Sequence, residues 1–306
     1  TISKVTTNRS TDSASLGTSK ADYPNTKQVT AKISDEDKAQ HTNKIDQSYV
    51  DYVKDIDPNL SNNIGFTRAT GINMLRQVDG KVQPVSFSNQ NPENESLSLS
   101  STMSAMTGVG VSSFPTQLDN QKENFLKANY SLLSGSYPAS ANDVVLIVDG
   151  NNNTNINALK NLGFDVKDGQ KLDFDRIVGT TFKVINNNDY YTKLPTGNFI
   201  PNTDYDTMYA NSTSEVKIAG ILRVKSSSTM NLLSPGIAYS DQLTTQIVNE
   251  NKDSEIVKAQ KDSDTNVMSN EKVDETAKQS LISYLGGDSI PTSIMIYPNN
   301  FCAKRH

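Results

Sequence analysis

The chain has 306 residues, enough for one elaborate unit or two compact ones with a real core, and 34 acidic against 29 basic side chains give a net charge of -5. Mean hydropathy is -0.54, and the longest aliphatic run, Val144 to Val148, falls far short of the roughly 20 apolar residues that a membrane helix needs. Lys and Arg are dispersed, which argues against a nucleic-acid surface built on a basic patch, and Cys302 as the single cysteine excludes an intramolecular disulfide.

Residues 1–30 are Ser/Thr-rich with little apolar periodicity and read as a flexible N-terminal linker. No basic and apolar leader pattern opens the chain at Thr1, so it reads as an excised or processed segment, and any export signal or membrane anchor lies outside it. Ser34 followed by Asp35, Glu36 and Asp37 suggests a helix N-cap, and Ile45, Tyr49, Tyr52, Val53 and Ile56 recur at helical spacing up to Asp57-Pro58. From Ile64 to Phe87 the pattern turns extended, with Asp79-Gly80 placed for a hairpin turn. Residues 88–113 have few bulky apolar side chains and read as a long mobile loop.

A short helix is predicted from Asn120 to Leu133, stopped by Ser134-Gly135. Asp143 then leads into Val144 to Val148, a central strand buried on both faces, and Ile156, Leu159 and Leu162 mark a helix closed by Gly163. Thr181 to Ile185 and Glu215 to Lys225 read as strands, the second bent or bulged at Gly220. Helical patterning returns over Ser240 to Lys258 and Val273 to Leu285, and residues 293–298 read as a last strand. The fold class is α+β, with helices and strands at both ends and a strand-rich middle.

No set of residues assembles into a catalytic or metal centre. Asp149, Asn151, Asn153, Asn155 and Asn157 hold the odd positions of a calcium loop, but Thr154 replaces the turn glycine and Lys160 the closing glutamate, so Asp149 reads as the start of a turn. Asp173 with Asp175 and Asp204 with Asp206 flank aromatics; on a strand each pair would share one face, as acid/base work requires, yet a solvated face is the simpler reading. His41 and His306 have no Cys, second His or nucleophilic Ser nearby, and Cys302 has no visible base. Gly108-Val109-Gly110 lacks the strand before it and the helix after it that a nucleotide loop needs, and Ser113 stands at its last glycine position.

Four phrases occur in order: Gly135-Ser136-Tyr137-Pro138, Asn142-Asp143-Val144-Val145-Leu146, Ile177 to Val184, and Val216 to Leu222. With the final Ser293 to Phe301 they resemble the extracytoplasmic, MacB-like periplasmic core domain of MacB/FtsX-type ABC transporter permeases of Gram-positive bacteria. The resemblance covers roughly residues 30–302; its phrases are turn and packing signals, so they speak for fold more than for activity. It implies a porter-like α/β subdomain from residues 31–114 and 240–306 and an inserted β-rich, Sabre-like subdomain from 115–239. It also implies a non-catalytic domain, outside the cell membrane and between two membrane helices of the same permease, that relays ATP-driven motion to exported substrate or partner proteins. Antimicrobial peptide, drug or lipoprotein-related export are the implied cargoes.

That reading gives the chain no cofactor of its own. ATP belongs to a separate cytosolic ABC ATPase, and the other implied partners are a second permease copy and an extracytoplasmic accessory protein. The competing expectation is a secreted or cell-wall-anchored binding protein, an adhesin or solute receptor. A hydrolase would have only Asp173, Asp175, Asp204 and Asp206 to draw on.

Overall fold

The computed structural model describes residues 2–3, 5–7, 23, 25–32, 39–42, 45–57, 61–87, 110–115, 124–226 and 232–298. Strands β1 (Ile2–Ser3), β2 (Val5–Thr7), β3 (Gln28–Lys32) and β4 (Ala39–Thr42) precede helix α1 (Gln47–Lys54). Strands β5 (Ser61–Thr67), β6 (Met74–Val78), β7 (Lys81–Val85) and β8 (Val111–Phe114) follow, then α2 (Phe125–Asn129), β9 (Tyr130–Gly135), β10 (Asp143–Val148), β11 (Asn153–Asn155) and α3 (Ile156–Asn161). Next come β12 (Lys171–Asp173), β13 (Thr181–Val184), α4 (Asn187–Tyr190), β14 (Tyr191–Lys193), β15 (Phe199–Pro201) and α5 (Tyr205–Asn211). The chain continues with β16 (Ser214–Val224), β17 (Gly236–Ser240), α6 (Asp241–Asn251), α7 (Glu255–Asp262), α8 (Glu275–Tyr284) and β18 (Ser293–Pro298). The fold is mixed α+β.

An eight-stranded mixed sheet in the order β7-β6-β13-β16-β10-β17-β8, with β9 also on β16, dominates the architecture. At its centre Val144 to Val148 are each at most 1% exposed. Alternation sends Val144, Leu146 and Val148 to a core shared with Leu159, Leu162 and Ile247, while Val145 and Ile147 meet Phe125, Leu126 and Tyr130 on the opposite face. The two-sided burial expected of this run is therefore present.

One edge of β16 serves two partners in turn: β13 along residues 214–217, then β9 along residues 220–224. The changeover is made at a bulge, because β10 skips from Ile218 to Gly220 in its register. Gly220 sits there because a Cβ would collide with the carbonyls of Ser136 and Ser134. The bulge expected at Gly220 is thus found, with Ala219 as the extra residue.

The hairpin β6–β7 turns at Asp79 and Gly80, both at positive φ (50° and 80°), as a two-residue loop matched to strand twist requires. At the other end of the chain, Gly286 donates to Ser283 and Gly287 to Ile282 across the end of α8, the paired closure that a left-handed glycine permits.

Several expectations need correction. Ser34 and its acidic neighbours lie outside the described residues; α1 begins instead after Asp46, whose carboxylate accepts from the Tyr49 N–H at 3.0 Å, and residues 39–42 pair as a strand with β2. Val50 and Val53 face the core, but Tyr52 is 71% exposed because the helix is only two turns long and buries one narrow stripe. The helix expected over Asn120 to Leu133 shrinks to α2; residues 116–123 lie outside the described residues, and Tyr130 onward is drawn into the sheet by the free edge of β16.

Residues 88–109 of the expected loop are outside the described residues, but Val111–Phe114 is a strand parallel to β17. The helix expected over Ser240 to Lys258 is two helices, broken at residues 252–254. The flexible linker also needs correcting where it is described: residues 2–3, 5–7 and 28–30 are strand, and β3 runs between β11 and β12 with Val29 fully buried. Thr and Val suit a paired strand once a partner edge exists, and no local periodicity announces it.

A smaller three-stranded sheet, β1-β18-β5, joins both ends of the chain, with Ile2 opposite Ile294. It carries its own core, in which Ile45, Val50 and Val53 of the α1 region pack on Ile294. The main sheet takes strands from residues 74–85, 111–114 and 130–240, so hydrogen bonding runs across the division expected at residues 114 and 115.

Candidate functional site

Among the described residues, the sequence-derived candidates do not come together. Asp149 Oδ1 accepts from the N–H groups of Asn151 and Asn153, both at 2.8 Å, and Oδ2 from the Asn153 amide at 3.1 Å. Asn152 takes the left-handed conformation (φ 62°), and Asn155 caps α3 through the Asn157 N–H at 2.8 Å. Short polar side chains close this turn on the chain's own N–H groups, as their chemistry favours. The carboxylate pairs are not on strand faces as expected. Asp173 ends β12 and accepts from Gln28 at 2.9 Å, whereas Asp175 lies in the single 3-10 turn Phe174–Arg176. Asp204 caps α5 through the Thr207 N–H at 3.2 Å and Asp206 lies in its first turn, so these residues start helices rather than line a strand.

His41 falls within β4, while Cys302, His306, Gly108 and Val109 are outside the described residues. Gly110 accepts from the Ile237 N–H at 2.8 Å, and Ser113 is buried in β8 with its hydroxyl 2.6 Å from that of Thr67. Among the described residues, no group of three or more His, Cys, Asp or Glu side chains is placed to hold a metal ion.

The structure instead forms an open cleft of about 510 Å³ where α4, the β14–β15 hairpin, α5 and the start of α7 meet. Its floor is apolar and closed: Tyr191, Phe199, Met208 and Ile256 are all at most 8% exposed. Burial, then the neighbouring phenols of Tyr284 and Tyr190, pushes the Tyr191 hydroxyl well above its ordinary range. Tyr190, packed edge-on against Tyr191 at 5.0 Å between ring centroids, is pushed up to about 12 by burial, with Tyr205 adding to it. Both rings therefore stay neutral at physiological pH.

The walls are fixed by side chains that are already committed. Buried Asn187 donates its backbone N–H to Asn251 at 2.8 Å and its amide to the Leu285 carbonyl at 2.8 Å and Ser254 at 3.2 Å, and it accepts from Asn73 at 3.3 Å. Asn188 accepts from the Glu255 N–H at 3.0 Å, which caps α7 from a distant segment, and Ser212 donates to the Val184 carbonyl at 2.7 Å. Such satisfied buried networks hold a surface rigid.

Facing the opening are Asn186, Asp189, Thr192, Asn211, Thr213 and Glu255, whose side chains hydrogen-bond to no other described residue. Among the described residues the lining holds neither His nor Cys, and its one cation, Lys193, lies 5.8 Å from the centre of the Phe199 ring. Its chemistry is that of hydrogen bonding. Sequence reasoning missed this cleft, and the available signal was the run Asn186-Asn187-Asn188-Asp189 set directly before two tyrosines. No protein-family model matches the chain, and neither a curated protein nor a solved structure does.

Proposed function

We propose that this chain is a non-catalytic, extracytoplasmic domain of a MacB/FtsX-type ABC transporter permease. On this reading it sits between two membrane helices and relays ATP-driven motion to exported substrate or partner proteins. The observation that carries the proposal is the antiparallel pairing of β1 with β18, which brings the two ends of the chain side by side. A domain inserted into a loop between neighbouring membrane helices needs ends that leave together. Support also comes from the family-like phrases: three of them supply β10, β13 and β16, which are consecutive in the main sheet.

The finer organisation follows the two sheets. The small sheet with α1, made by both ends of the chain, is the unit nearest the membrane; the main sheet and its helices are the inserted unit, farther out. ATP is hydrolysed by a separate cytosolic ATPase, and a second permease copy and an accessory protein are the other partners.

The test is the topology of the full-length protein, tagged on either side of residues 1–306 and challenged with protease on intact cells. Exposure of this segment with a membrane helix at each end is expected. Release from the cell, or an anchor at one end only, would overturn the proposal and favour a secreted or wall-anchored binding protein.

A further inference from the structure

We infer that the cleft between α4, the β14–β15 hairpin, α5 and α7 is a binding site for a neutral saccharide. The inference stands on the cleft alone and does not depend on the permease reading. At about 510 Å³ the cleft lies within the roughly 300–1,000 Å³ typical of small-molecule sites. Its walls are held in advance by the Asn187 network and by the Asn188 cap on α7, so little ordering cost remains to be met on binding.

The groups turned to the opening select the ligand class. Asn186 and Asn211 each offer a paired amide donor and acceptor, Thr192 and Thr213 offer hydroxyls, and Asp189 and Glu255 offer acceptors. A sugar hydroxyl both donates and accepts, so neighbouring hydroxyls match such a set. A large apolar ligand would gain little, because the floor residues are already at most 8% exposed. A phosphorylated ligand would meet two carboxylates and one lysine, Lys193. A peptide side chain would find no apolar pocket. Lys193 lies over Phe199 and Tyr191 is buried, so no aromatic face is open for stacking. Affinity should therefore be weak, with Kd on the order of millimolar.

The test titrates the 306-residue chain, followed by amide NMR shifts, with cellobiose, maltose and N,N′-diacetylchitobiose, and with trialanine, spermidine and glucose 6-phosphate as comparators. Expected are saturable shifts with at least one of the disaccharides, centred on residues 186–193 and 207–214. Asn186→Ala and Asn211→Ala should each weaken that binding by about fivefold or more, the loss of roughly one good hydrogen bond. Both side chains are exposed and hydrogen-bond to no other described residue, so the variants should keep the parent melting temperature. No saturable shift from any disaccharide up to about 50 mM would overturn the inference. So would tighter binding of a comparator than of every disaccharide, or sugar binding unchanged in both variants.

Discussion

Two asparagine-rich stretches of similar composition do different work. Between Asp149 and Asn157, Asp149 and Asn155 accept from N–H groups two to four residues on, while buried Asn152 reaches far, donating to Thr26 at 3.2 Å and accepting from Arg223 at 3.1 Å, so the loop is mainly a local turn behind β10. Between Asn186 and Asp189 the side-chain commitments are long-range: Asn187 and Asn188 tie α4 to residues 64 to 98 positions further on, while the side chains of Asn186 and Asp189 hydrogen-bond to no other described residue. The first run is thus chiefly a turn closed by local partners and the second a wall held by distant ones.

The largest expected effect tests the dry floor of the cleft and the cores beside it. Burial raises Tyr190, Tyr130 and Tyr239 to about 12, and it also pushes Tyr191 well above its ordinary range. Below about pH 9 these phenols are neutral in both folded and unfolded chains, so their contribution is fully present. Above pH 10 the unfolded chain ionises first and stability falls as pH rises towards 12, by about 2 to 3 kcal/mol for each phenol held two units high. Alkaline unfolding followed by tyrosinate absorbance should show one fraction of the 12 tyrosines ionising only together with unfolding; ionisation of all of them while the fold persists would show the floor to be wet.

Next in size is Asn187→Ala, which strands buried groups on three other segments. It should cost about 2 to 4 kcal/mol and lower the melting temperature by roughly 5 to 10 °C, read by urea and thermal unfolding. Asp149→Ala should cost less, about 1 to 2 kcal/mol, because part of the freed backbone can turn to water; Asp149→Asn, which keeps one acceptor, should recover much of it. A larger loss from Asp149→Ala than from Asn187→Ala would reverse the comparison. Smallest of all, Thr192→Ala should shift stability by under about 0.5 kcal/mol, as expected for an exposed side chain with no partner among the described residues.

Legibility in the sequence followed the range of the forces. Val144 to Val148, the Asp79-Gly80 turn, the bulge by Gly220, the helix closed by Gly163 and the strand at residues 293–298 were all readable, because apolar runs, turn glycines and periodicity are local signals. The start of α1, the shortening of α2 and the break between α6 and α7 were not. Each is decided by a partner far away: β2 pairing with residues 39–42, the open edge of β16 capturing Tyr130 onward, and Asn188 capping α7. The pairs at Asp173/Asp175 and Asp204/Asp206 misled for a related reason, since alternation implies one face only if the segment is a strand, and these residues begin helical turns.

By itself, then, the sequence determined the mixed α+β class, the buried centre of the main sheet and the turn role of Asp149, all set within about ten residues of one another. Only the tertiary structure decided that both chain ends share a sheet, that β3 threads between β11 and β12, and that Asn186 to Asp189 form the wall of a cleft. The physical reason is that strand edges and buried amides must find partners, and nothing in a local window says which distant residue will supply them.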